Sequence, residues 1–433
     1  MYASQEALHL RLFCVPGTPV LKALDCWPAL PIVLEYGGSL ALDPPSPEDE
    51  VNIVDVLKRS DRVSSISFTV TTSLLDKLYA IERPFLKLED LTLLSQVNVP
   101  LTLPRAFRCS SLRHLHMTRI PFPALLPLLH SSRNIVDIHL HEAVKSWCLS
   151  VEELTDALSG MAQLRSLSLH FSPATNYVSP SRILPAGQHF VLPALTRLIF
   201  GGTANQLGRL VLRINAPRLQ DIQVTLFDKS AFDPSRLFKF TDQIKRHESP
   251  HRAHILSSER GISISLTKSG AATCFKLRLL SELLSEQLSA ISRILPHFSP
   301  YFLHVEDLRI STTRPPSLED NRCSGRWPKL INSFTGIKWL HLNRNDSADI
   351  VRALQDTCWH PKPVLPTLHK LYLPHPGPHH APLNEAVVSF MTSRRRSGHH
   401  PTAVEYERLC RTSEQRGVGM SLCHYAWCPY ITY

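Results

Sequence analysis

Five histidines and two aspartates recur in this chain at spacings that place them on one surface. They are His114, His116, His139, His141 and His170, with Asp90 and Asp137 among them. Imidazoles in such a group can do three things. They can form a partner-binding zone that responds to pH near neutrality. They can ligate a metal together with the aspartates. They can also simply line a solvated strand face. Farther along stand Arg197, Asp221, Asp307, Arg309, Trp339, His341, Lys370 and Tyr372 in equivalent positions. Trp339 and Tyr372 carry the most weight among them, because exposed aromatics serve as interface anchors.

The elements that must position these side chains are read from a repeated unit, apolar-x-x-apolar-x-apolar. It occurs as LEDLTL from Leu88, LRHLHM from Leu112, IVDIHL from Ile135, LRSLSL from Leu164, LTRLIF from Leu195 and LQDIQV from Leu219. It returns as VEDLRI from Val305, IKWLHL from Ile337 and LHKLYL from Leu368, with a worn copy, VSSISF, from Val63. The first seven starts are 25, 24, 23, 29, 31 and 24 residues apart. The last positions of each unit alternate in the period of a strand, one side chain inward and the next outward. A single unit cannot bury its leucines, whereas stacked neighbours bury them in one continuous core. The expected fold is therefore an α/β leucine-rich-repeat solenoid, with a curved parallel sheet on the concave side and helices and loops on the convex side. The third, fifth and seventh positions face outward on the concave wall. Every residue singled out above occupies one of them, and His116 is expected beside His139 and His141 beside His170.

The organisation follows. Residues 1–62 read as an N-terminal cap with two strands, LHLRLFC and LPIVLEY, and a helix from Pro47 to Ser60 whose first turn is acidic. Residues 63–226 hold regular repeats. In the connectors, SVEELTDALSGM reads as a helix capped by Ser150 with Glu153 as its capping-box acid, and 172–191 as a loop. Residues 227–304 break the rhythm and are expected as an irregular insertion with one strand, GISISLTK, and a helix over Phe275 to Pro296. Ile244 to His254 reads as an exposed loop. Residues 305–412 carry longer repeats, with Ser347 expected to cap a helix and Arg394 to Arg396 at a solvated helix end. Residues 413–433 form an irregular tail.

Composition narrows the function. Hydrophobic residues make up 43% and charged residues 19% of 433, which is the balance of a folded chain. The formal net charge of +10 permits acidic partners. No stretch combines dense Lys and Arg with interleaved aromatics, so nucleic acid is not expected. No apolar run reaches membrane-spanning length and no signal peptide is expected. The ten cysteines are scattered, which fits reduced thiols in the cytoplasm or nucleus. Cys410, Cys423, His424 and Cys428 lack the tight pairs of a structural zinc site, and no metal or cofactor is expected. GxSxG, Walker, GxGxxG and HExxH motifs are absent, so no enzyme is expected.

The stretches LHLRLFCVPGTPVLKALDCWPALPIVLEYGG and SRRRSGHHPTAVEYERLC, with the degenerate repeats between them, resemble fungal F-box proteins with leucine-rich repeats. The resemblance spans roughly residues 6–412 and is carried by the two ends. It implies substrate recognition for a cullin-RING ubiquitin ligase, with an unidentified target protein on the concave face. In that family an N-terminal F-box docks a Skp-type adaptor. No LPxExLxxIF-like helix lies upstream of the repeats here, so the adaptor is expected only if an F-box is supplied upstream. The alternative is a stand-alone binding or decoy module without ligase recruitment.

Overall fold

The structure is a computed structural model. It describes residues 9–13, 20–36, 44–95, 102–141, 151–171, 189–227, 237, 240, 249–268, 273–281, 283–298, 302–313, 327–343, 347–356, 365–374, 381–398 and 402–407. Ser150, the stretch 172–188, Cys410, Cys423, His424, Cys428 and the tail from 413 lie outside them.

Each repeat unit places its alternating residues in a short strand. The strands are β1 (Leu10–Phe13), β2 (Ile32–Glu35), β3 (Val63–Val70), β4 (Asp90–Ser95), β5 (His114–Thr118), β6 (Asp137–His141), β7 (Ser166–His170), β8 (Phe190–Val191), β9 (Arg197–Gly202), β10 (Ile214–Asn215) and β11 (Asp221–Leu226). They continue with β12 (Arg252–Ser258), β13 (Gly261–Thr267), β14 (Thr273–Leu280), β15 (Asp307–Thr312), β16 (Trp339–Leu342), β17 (Lys370–Pro374) and β18 (Ala403–Glu407). Sixteen of them form one sheet in the order β1-β2-β3-β4-β5-β6-β7-β9-β11-β14-β13-β12-β15-β16-β17-β18. β8 and β10 pair separately. The result is an α/β fold with a long, mostly parallel sheet and helices between its strands, consistent with a solenoid.

Register is set at the edge where the strands begin. The carbonyl of the second residue in a unit accepts the N–H groups of two consecutive residues in the next unit. Glu89 O accepts from Arg113 and His114 at 2.8 and 2.9 Å, and Arg113 O accepts from Val136 and Asp137 at 2.7 and 3.1 Å. The motif repeats at Val136, Arg165, Thr196, Glu306 and Lys338. With this edge fixed, the inward residues fall into rows. Leu115, Ile138, Leu167, Leu198, Leu308, Leu340 and Leu371 are all buried. Helices such as α1 (Val20–Cys26), α2 (Pro47–Leu57) and α3 (Thr72–Tyr79) bury their apolar stripes in the same core. Ser46 caps α2 in a reciprocal box with Asp49. The buried Glu50 of α2 accepts from Thr71, Ser73 and Lys77 at 2.6, 2.7 and 2.7 Å, tying α2 to α3.

Four expectations need correction. The first 62 residues hold the two strands and the helix from Pro47 that were expected, but a further helix, α1, stands between β1 and β2, which pair in parallel within the main sheet. The stretch 227–304 contains three strands instead of one. β12 and β14 each run antiparallel to β13, while β12 pairs in parallel with β15 and β14 with β11. The insertion is thus spliced into the sheet in reverse order, and β13 is its one antiparallel strand among the described residues. Arg252 to His254 and Phe275 to Leu280 are strand because RAHILSS and FKLRLL alternate buried and outward residues with period two. The helix begins only at Leu284 and runs to Ile294. Buried Gln287 of that helix accepts from Ser257 Oγ at 3.0 Å and donates to Ser258 O and Ser281 O at 3.0 and 2.6 Å. The tight β12–β13 turn needs Gly261, whose φ is +154° and where a Cβ would stand 2.2 Å from Leu279 O.

The third correction is Arg394, only 2% exposed and not solvated. It stands in the last turn of the helix Ala381–Arg396, with Nη1 donating to Leu365 O at 3.1 Å and its guanidinium 5.7 Å from the Phe390 ring centroid. The fourth is Ser347, the first residue of the helix Ser347–Asp356, whose hydroxyl donates back to Asn343 O at 2.6 Å.

Two substitutions check the packing. Leu167→Ala should lower the unfolding free energy by about 2–5 kcal/mol in urea titration. Gln287→Leu keeps similar volume but strands two carbonyls and a hydroxyl, so a loss of about 1–3 kcal/mol is expected; no loss would mean the network does not staple the insertion to its helix.

Candidate functional site

The outward positions of the strands make a continuous face opposite the helices. Parallel register aligns them in rows. One row runs Asp90, His114, Asp137, Ser166, Arg197 and Asp221. The next runs Thr92, His116, His139, Ser168, Ile199 and Gln223, and a third runs Thr118, His141, His170 and Gly201. Beyond the insertion, Asp307, Trp339 and Lys370 share a row, and Arg309, His341 and Tyr372 share another. The fifteen residues selected from sequence therefore all lie on this face, in two groups separated by β12 to β14.

Within the first group, His114 Nδ1 lies 2.7 Å from Asp137 Oδ2 and its Nε2 lies 3.9 Å from Asp90 Oδ1. The His116 and His139 rings are 5.6 Å apart, and those of His141 and His170 are 5.4 Å apart. His170 leans over Gly201, where an added Cβ would stand 2.6 Å from Nδ1. A side chain at 201 would push the ring aside, so the glycine shapes this end of the patch.

Burial holds His116, His139 and His141 below the ordinary imidazole range, and neighbouring positive charge adds to it. For His139, Asp137 works the other way. His170 is pushed down to about 4 by burial, with His141 and His139 assisting. The titration expected near neutrality therefore moves into acid, and these rings are neutral at pH 7. Burial raises Asp90 and Asp221 above the usual carboxylate range. Among the described residues, no group of three or more His, Cys, Asp or Glu is placed to hold a metal ion.

The second group divides. Asp307, expected on the wall for a partner, is 8% exposed. Arg252 Nε reaches it at 2.8 Å, Arg309 Nε at 3.8 Å and His341 Nε2 at 3.5 Å. Its carboxylate organises its neighbours instead of presenting itself. His341 stacks on Tyr372 with centroids 4.1 Å apart and planes 4° apart, and Lys370 Nζ stands 6.0 Å over the same ring. Trp339 stays 37% exposed. Sequence reading missed Arg252, His254, Lys276 and Arg278, which the insertion brings onto the face. The alternation in TCFKLRLL was the signal.

No family model matches the chain, and no curated protein matches it. Among solved structures it is similar to the leucine-rich repeat-containing protein LegL7 from Legionella pneumophila. That protein is 14% identical, with 88% of this chain and 97% of that one covered and a TM-score of 0.30. A likeness of that degree leaves the fold to be judged on strand register and burial.

The shifted histidines set a pH dependence. A histidine with a lowered folded pKa binds its proton less tightly folded than unfolded. Its contribution is complete above about pH 6.5 and is lost as pH falls through its folded value. His170 should account for on the order of 2 kcal/mol lost between pH 6.5 and 4. Asp90 and Asp221, with raised pKa values, act in the opposite direction, so the comparison is between variants. From pH 7 to 4 the melting temperature of the native chain should fall faster than that of His170→Gln; parallel curves would place His170 in water.

Proposed function

We propose that this protein is a leucine-rich-repeat scaffold, not an enzyme, which holds a target protein on the open sheet face. Outward rows from Asp90 to Tyr372, opposite the helix layer and mostly part-exposed among the described residues, carry this reading. Side chains there add little to the core, yet they include an exposed tryptophan beside a stacked His341–Tyr372 pair. Large, rigid aromatics of this kind concentrate binding energy at interfaces. The resemblance of both ends of the chain to fungal F-box proteins supports a finer role, recognition of substrates for a cullin-RING ubiquitin ligase in the cytoplasm or nucleus. Cys26, Cys109 and Cys274 are free thiols, as suits a reducing compartment. No described helix is long and apolar enough to cross a membrane. Contact with a Skp-type adaptor is proposed only with an F-box upstream.

Affinity purification of the tagged chain separates the two roles. Recovery of a Skp-type adaptor and cullin with the target supports ligase recruitment, while a target recovered without them supports a stand-alone binding module. For the face itself, His116→Ala combined with His139→Ala, and separately Trp339→Ala, should each weaken target capture about tenfold while moving the melting temperature by no more than about 2 °C. Unfolding of the double variant would mean that those rings support the core.

A further inference from the structure

The insertion adds to the open face a patch of one charge sign. Across β9, β11, β14, β13, β12 and β15 the outward cations are Arg197, Arg252, Lys276, Arg278 and Arg309, against two carboxylates, Asp221 and Asp307. Both carboxylates are already engaged. Asp221 Oδ2 lies 3.1 Å from Arg197 Nε, and Arg252 and Arg309 share Asp307. Lys276 and Arg278 have no ion-pair partner among the described residues. Lys276 stands between Gln223 and Ser265, and Arg278 between Thr225 and Ser263. These neighbours are neutral, and both cations stay part-exposed on the sheet face.

The cations are also in line. Lys276, Ser265, His254 and Arg309 occupy one row across four adjacent strands. Three strand steps of about 4.8 Å put Lys276 and Arg309 about 14 Å apart. An extended chain advances about 3.3 Å per residue, with alternate side chains on the same side. Two carboxylates four residues apart therefore match Lys276 and Arg309.

We propose that this row docks an extended acidic segment of a partner protein, laid across the strands, with carboxylates at positions i and i+4 over Lys276 and Arg309. Arg278 in the adjacent row reinforces the first contact. The proposal rests on the reading of the open face as the binding surface and specifies the chemistry of its occupant. An acidic peptide fits better than a nucleic acid for two reasons. The outward residues of β9 to β15 include no Phe, Tyr or Trp on which bases could stack. Asp221 and Asp307 also interrupt the positive field that a continuous phosphate backbone would need.

The test is fluorescence anisotropy with the full chain and labelled twelve-residue peptides. One carries Glu at i and i+4 in a Ser/Gly background, one carries Gln at the same places, and one carries the Glu pair at i and i+1. A labelled dT12 oligonucleotide is the fourth probe. The i,i+4 Glu peptide should bind at least tenfold more tightly than the Gln peptide and more tightly than the i,i+1 peptide, and should weaken between 50 and 200 mM salt. Lys276→Glu with Arg278→Glu should cost at least tenfold. Lys276→Gln with Arg278→Gln, a milder pair should charge reversal disturb folding, should cost several-fold with an unchanged melting curve. Lys58→Gln, a loss of charge on the helix side, should leave peptide affinity intact. Equal binding of the Glu and Gln peptides, indifference to Lys276 and Arg278, or tighter binding of dT12 would overturn the proposal. If peptide binding fails while Trp339→Ala still weakens target capture, the open face remains a binding surface and only the acidic occupant is wrong.

Discussion

Everything on the open face depends on one carbonyl per repeat. The second residue of seven units accepts two successive N–H groups from the next, at Glu89, Arg113, Val136, Arg165, Thr196, Glu306 and Lys338. A slip of one residue would turn the leucines outward and the histidines into the core. The bifurcated acceptor fixes the start of each strand, and the inward leucines make any other start costly. His251 O performs the same service for Glu306 and Asp307 at 3.0 and 3.2 Å, although it belongs to the insertion. The spliced strands, with one bulge at Leu266/Thr267 near the end of β13, still hand on the inward and outward alternation, and Trp339 and Tyr372 emerge on the same side as His116 and His139.

Register also explains the chemistry of the histidines. Parallel strands bring each ring against the equivalent position of the next strand, so His116 meets His139 and His141 meets His170. Packed side by side, the rings shield one another from water and resist charging together. The same stacking buries Asp307 and gives it three cationic or protonatable neighbours. A flat list of outward residues cannot separate such an organising carboxylate from an exposed anchor, because the difference arises in the lateral neighbours.

The repeats were legible because their signal is redundant: each LxxLxL unit restates the same inward and outward positions, and the spacing repeats it again. The row positions of all fifteen selected residues follow from that alone. The insertion was not legible to the same degree. Its strands carry the period-two signal, seen in TCFKLRLL, but they lack the preceding apolar-x-x that marks a repeat, and the strong helical stripe after Leu284 hid them. Arg394 illustrates a second limit. Three arginines at a helix end look alike in sequence, and only the packed neighbours Leu365 and Phe390 distinguish the buried one. The lowered histidine pKa values are a third case, since mutual burial is a property of side-by-side strands and not of any one of them.

The antiparallel strand β13 has a consequence for how the chain reaches this structure. Elsewhere in the described sheet, each pair of bonded strands is separated by a connection of 18 residues or more, and its closure must be met before the strands profit from each other. The β12–β13–β14 meander is different, because its turns are short and its contacts local. Hairpins of this kind assemble on a microsecond timescale. Placed between two runs of parallel repeats, it offers a preformed template edge in both directions. Growth can then begin in the interior of the chain and proceed toward both ends, with β14 receiving β11 on one side and β12 receiving β15 on the other.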